Sequence, residues 1–195
     1  MAFLFEQHSR GTTRDRLRSN QCSSHATGHA AEAQCLGGPE ARRVTEHFEV
    51  VVDTYRLQGT SHRNVTGPVA VRLGDAWFPE REWNDFPVIV LGWWVRQLPD
   101  LAQGIDGEFA FMDGPFRFSV IFEAGGARIV FEDLHADQLR VVSEAAISAD
   151  VVAGAIAAAA KGVVKACEGR GWTSCDIDEL RMGAISGQRE QRVMR

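Results

Sequence analysis

Residues 83–123 read WNDFPVIVLGWWVRQLPDLAQGIDGEFAFMDGPFRFSVIFE and carry three of the five tryptophans and six of the eleven phenylalanines. No other window of the 195-residue chain can bury as much apolar area per residue. Its first half predicts a helix. Phe86 and Pro87 suit a first turn that Asp85 caps, and Val88, Leu91, Val95 and Leu98 form one stripe before Pro99 stops or kinks the helix. In its second half Phe116, Phe118, Val120 and Phe122 alternate with Arg117, Ser119 and Glu123, the pattern of a strand with one wet face.

Downstream the strand pattern repeats. Glu108–Met112, Phe116–Glu123, Ala127–Asp133 and Gln138–Ala145 are four β-like runs joined by Asp113-Gly114-Pro115, Ala124-Gly125-Gly126 and Leu134–Asp137. These connections have hairpin length and turn chemistry, so the stretch predicts an antiparallel meander. Ser148 and Asp150 then open a helix to Gly169, with Val152, Ile156, Ala159, Val163 and Cys167 inward and Lys161, Lys165 and Glu168 outward. Its alanine-rich middle suits close packing against the aromatic face of the sheet. Asp176 with Glu179 predicts a capped last helix over 177–185. Upstream, Phe48, Val50 and Val52 mark a half-buried strand, and Val69, Val71 and Leu73 a second one whose start Gly67-Pro68 bends or places at an edge. The expected fold is α+β: one antiparallel sheet of about five or six strands, with helices on one face.

Residues 1–43 lack periodicity and large apolar residues after Phe5, apart from Leu17 and Leu36. The expectation is a disordered tail, translated from a misplaced start, ahead of a single domain over 44–186 and a frayed end over 187–195. An intact mass of 21.5 kDa for protein made from its own gene would overturn the start-site reading. Cys22, His25, His29 and Cys35 have spacings zinc can use, but the residues between them are Ser, Ala, Thr, Gly and Glu, with no apolar support, so no metal is expected. The cysteines at 22, 35, 167 and 175 read as free thiols.

Charge is unevenly divided. Residues 1–43 carry +2 and residues 181–195 carry +3, whereas 44–180 hold eleven basic and twenty-one acidic residues, net −10. An acidic body argues against nucleic acid and favours a basic partner. No run of about 18 apolar residues occurs, so no membrane span is expected and the cytoplasm is the expected location. There is no nucleophile elbow, phosphate loop, zinc-protease motif, C-x-x-C or EF-hand loop, so no cofactor is expected.

The acidic strand ends and loops, Asp85, Asp113, Glu123, Glu132 and Asp133 with His135, are the candidate binding surface. Trp83 and Trp94 are its apolar anchors. A small acidic domain rich in Phe and Trp is similar in composition and size to bacterial toxin-immunity proteins. That resemblance implies an immunity- or inhibitor-type domain capturing a basic protein. Two alternatives stand beside it. One is a small hydrolase or transferase in which Asp133 orients His135 as a general base with Glu123 nearby. The other is a structural or oligomerisation module using the outer face of the Trp93–Trp94 helix, so the assembly would be a monomer or a homodimer.

Overall fold

The computed structural model of the chain describes residues 47–60, 63–135 and 138–193. The architecture is α+β, but the strands form two antiparallel sheets rather than one. In the first, β3 (Arg63–Leu73) is the hub. It pairs with β1 (Phe48–Val52), β2 (Gln58–Thr60), β4 (Ala76–Phe78) and β5 (Asn84–Asp85). Both β1 and β4 pair with residues 71–73, so β3 is central there and is buried on both faces from Pro68 to Val71. Gly67 and Pro68 lie inside this strand, opposite Asp85 and Asn84, not at an edge. A Cβ at Gly67 would meet Leu57 at 2.8 Å, so glycine lets the preceding chain lie directly over β3.

The second sheet is the expected meander: β6 (Gly107–Ala110), β7 (Phe116–Glu123), β8 (Gly126–His135) and β9 (Gln138–Ile147), in that order. Its inner face presents Phe109, Phe118, Val120, Ile129 and Phe131, all buried. No described strand of one sheet pairs with a strand of the other, and aromatic rings bridge them. Phe48 of β1 lies 5.8 Å from Phe118, and Phe78 of β4 lies 4.9 Å from Phe131. An apolar strand buries the same residues whether it is paired laterally or covered face to face, which is why the sequence merged the two sheets.

Helix α1 (Pro87–Val95) is apolar nearly all round and sits in the core, with Val88, Val90, Leu91 and Trp94 buried. It ends before the expected Leu98. Arg96 caps it, and a separate short helix α2 (Leu98–Ala102) begins with Pro99 in its first turn, where a missing N–H costs nothing. Helix α3 (Ala149–Gly169) buries the five residues assigned to its inner face together with Ala153, Ala157, Ala160 and Val164. Its main partners are β1, α1, α2 and α4 (Cys175–Val193), not the aromatic face of the meander.

Gly171, at φ +67°, ends α3 in a Schellman turn: its N–H reaches the Glu168 carbonyl, and the Trp172 N–H reaches that of Cys167. Helix α4 is capped by Ser174, whose hydroxyl accepts the Ile177 N–H at 3.2 Å, with Asp176 displaced into the first turn. It runs to Val193, past the expected stop at 185.

Two glycines in these helices should respond oppositely to alanine. Gly162 of α3 faces open space, whereas a Cβ on Gly183 of α4 would lie 2.5 Å from Val95 Cγ2 of α1. Both substitutions gain helix propensity, roughly 1 kcal/mol. At Gly183 the contact with α1 must open, costing about 1–3 kcal/mol. Gly162→Ala should therefore raise the thermal midpoint and Gly183→Ala should lower it; the same sign for both would contradict this packing.

Candidate binding site

Three of the sequence-predicted site residues converge, and they lock the fold. Asp85 is the buried charged side chain among the described residues, 1 % exposed. It does not cap α1, whose N-cap is Phe86 with no side-chain hydrogen bond. One carboxylate oxygen accepts the Phe86 N–H at 2.7 Å, and the other accepts the N–H groups of Met112 at 3.0 Å and Asp113 at 3.2 Å. Asp113 thus contributes its backbone here, and its side chain is exposed. The Trp83 indole N–H has no partner within hydrogen-bond geometry, although it is close enough to help stabilise the Asp85 charge. The Trp83 ring packs edge-on against Phe116 at 4.9 Å. Gly114, at φ +76°, completes the turn where a Cβ would meet both rings at 2.9 Å.

Trp94 is no surface anchor. It is fully buried, donates its indole N–H to the Ala110 carbonyl at 2.8 Å, and meets Phe109, Phe111 and Phe118 edge-on. Trp93 is the partly exposed ring of the pair, at 40 %. Helix α1 packs against α3, α4 and β3, and Trp93 is what remains of the outer face expected for docking.

The acids of the meander are bound to arginines. On the outer face Arg117 bridges Glu108 at 2.8 Å and Glu132 at 3.0 Å, and Arg128 pairs with Glu123 at 2.9 Å and also with Glu144. On β8, Asp133 pairs with Arg140 at 2.8 Å. The catalytic grouping of Glu123, Asp133 and His135 does not form. Glu123 ends β7 opposite Gly126, whereas Asp133 lies opposite Phe116. Seven residues of β7 separate those positions, about 23 Å at strand rise. A groove of about 750 Å³ does exist at the Glu123 end, beside Gly104, Phe122, Gly126 and Asp150, but Asp133 and His135 are at the other end of the sheet.

What stands out at that other end is the β8–β9 hairpin. Leu134 (44 % exposed), Leu139 (48 %), Val141 (54 %) and Val142 (50 %) are four of the ten large hydrophobic residues left exposed among the described residues. Leu134 pairs with Leu139, and Val141 lies two residues along the same outer face. Residues 138–143 of β9 are exposed on both faces, and β9 is the last strand of its sheet, so one backbone edge is unpaired within it. A register shift between Phe131 and Glu132 leaves Val142 as the extra residue. Glu132, Asp133 and His135 belong to this hairpin; the apolar residues that accompany them were missed, because LRVV in a strand reads as half-buried. The clue was order: the last strand of a meander before a helix has only one neighbour.

The Cys22, His25, His29 and Cys35 pattern lies outside the described residues. Among the described residues no three His, Cys, Asp or Glu side chains are grouped as metal ligands, and no helix is long and apolar enough to cross a membrane. No protein-family model matches the chain, and no curated protein and no solved structure matches it either.

Burial raises the Asp85 carboxyl above its ordinary 3.8, and the backbone N–H donors of Phe86, Asp113 and Met112, with the Trp83 indole, pull it part of the way back. Protonation therefore favours the fold. The contribution is complete below 3.8 and is lost as pH rises through the raised value. In Asp85→Asn an amide NH2 must face one set of backbone donors, which should cost about 1–3 kcal/mol at neutral pH. The gap between wild type and variant in urea unfolding should widen at acid pH, because only the wild type gains from protonation. A gap independent of pH would show that this carboxyl does not titrate in the fold.

Proposed function

We propose that this chain is a non-enzymatic protein-binding domain that engages a basic protein through the β8–β9 hairpin. An inhibitor- or immunity-type protein is the most specific form of that reading. The exposed apolar side chains of the hairpin carry it: a projecting edge strand with Leu134, Leu139, Val141 and Val142 unburied is an aggregation liability unless something covers it. A partner can add a strand along the free edge of β9 while its apolar residues cover the outer face.

The basic character of the partner rests on the field of the whole body. The acids of the meander are held by arginines and do not form a free acidic patch, but a net −10 over 44–180 still attracts a cationic protein at long range. In this reading apolar contact supplies affinity and charge supplies encounter rate. Asp85 and Trp94 support the fold, and Glu132, Asp133 and His135 flank the contact. The same free edge also suits a second copy of the chain, which the test separates by mass.

The test uses the full chain as bait in lysate of its source organism, beside a Leu139→Ser/Val141→Ser variant. Both positions are exposed, so the variant should melt within about 0.5 kcal/mol of wild type. The expected result is one stoichiometric basic protein held by wild type, released by added salt and lost from the variant. Equal capture by both baits, or capture of nothing beyond the chain itself, overturns the proposal.

A further inference from the structure

The chain contains two lysines in all, Lys161 and Lys165, four residues apart on α3 and both exposed. They stand on the rim of a groove of about 240 Å³ along the seam between α3 and α4. Val164 and Ala184, both buried, and the half-exposed Ile185 form its floor. Arg181 stands on the opposite rim, already paired with Glu168 and Asp178. Neither lysine has an acid partner among the described residues, in a body that has nearly twice as many acids as bases. Like charges at i and i+4 destabilise a helix by roughly 0.2–0.5 kcal/mol, and Glu168, three residues after Lys165 on the same groove, is already paired with Arg181.

We propose that this seam is a second docking site, distinct from the β8–β9 hairpin, and that its occupant is an acidic amphipathic helix of a partner protein. The seam between two packed helices accepts a third by ridges-into-grooves packing. Two carboxylates at i and i+4 on the incoming helix match the spacing of Lys161 and Lys165, because both pairs span the same rise of about 6 Å. An apolar side chain between them enters the floor at Val164 and Ile185. The volume lies below the roughly 300–1,000 Å³ of small-molecule pockets, so it suits a single anchoring side chain and not a cofactor. The partner's acids would neutralise the two ammonium groups that have no acid partner among the described residues.

The probe is a helix-stabilised peptide with the pattern Glu-x-x-Leu-Glu, labelled for fluorescence anisotropy, and the control peptide has Gln in place of both Glu. The full chain should bind the acidic peptide roughly tenfold more tightly than the control, and Lys161→Gln/Lys165→Gln should abolish that preference. Ile185→Ser should weaken both peptides, whereas Leu139→Ser/Val141→Ser should leave binding unchanged, which separates this site from the hairpin. No preference for the acidic peptide, or a preference that survives the lysine substitutions, overturns the proposal. So does lysine-dependent binding to phosphatidylserine vesicles without binding to the peptide, since that would make the occupant a membrane.

Discussion

The Phe118 ring is where the separate parts of the molecule meet. It stacks on Phe109 of β6 at 4.7 Å and receives the edge of Trp94 from α1 at 5.1 Å. Phe131 of β8 lies at 5.9 Å and Phe48 of the other sheet at 5.8 Å. One ring therefore joins both sheets to the buried helix. Each offset or edge-on contact adds about 0.5–1.5 kcal/mol beyond area burial. The Trp94 indole N–H is also satisfied, by a β6-side carbonyl, so this ring can be buried without leaving its polar atom unpaired. Asp85 does the equivalent at the helix entrance by holding the Met112–Asp113 backbone. Rings fix the distance between α1 and the meander, and this carboxylate fixes the register of the β6–β7 turn beneath it.

What the sequence revealed follows from this division. Strand β7 was legible to the residue, because Phe116, Phe118, Val120 and Phe122 fall at every second position and Gly114 and Gly125 sit in the turns. The inner face of α3 was legible because Val152, Ile156, Val163 and Cys167 keep helical spacing. Asp85 was misread because an aspartate before Phe-Pro has the local signature of a cap. Besides the adjacent Phe86 N–H, its partners are 27 and 28 residues away, and no local pattern encodes those two. The Trp93–Trp94 pair was legible only as one ring in and one ring out. Which ring goes in depends on where Phe109 and Phe118 arrive.

Net charge was legible, and its arrangement was not. The body carries a surplus of acids, yet the acids nearest the predicted surface stand opposite arginines across strands: Glu132 beside Arg117, Glu123 beside Arg128, Asp133 beside Arg140. The exposed pairs among these, Glu123 with Arg128 and Asp133 with Arg140, contribute little to stability. Their effect is on the surface: they turn a charged face into a nearly neutral one. Cross-strand partners depend on register, and register depends on turns whose conformation the sequence leaves open.

The same geometry explains why the hairpin is bare. Strands β8 and β9 are each ten residues long, while β7 ends its pairing with β8 at Asp133 and β6 is only four residues long. Beyond Phe131 the ribbon runs past the layer that covers it, and the chain leaves β9 at Ile147 for α3, which packs on β1 and the other helices. Nothing in this chain's own described fold returns to cover Leu139, Val141 and Val142. The irregular register at Phe131–Glu132 and the Asp133–Arg140 pair are the devices that guard free edges, a bulge and a charge. They guard the inner side of the ribbon and leave the outer apolar strip open. A strand protected on one side and apolar on the other is suited to contact through one chosen face, so the docking proposed for this hairpin would use the outer surface of the β8–β9 ribbon.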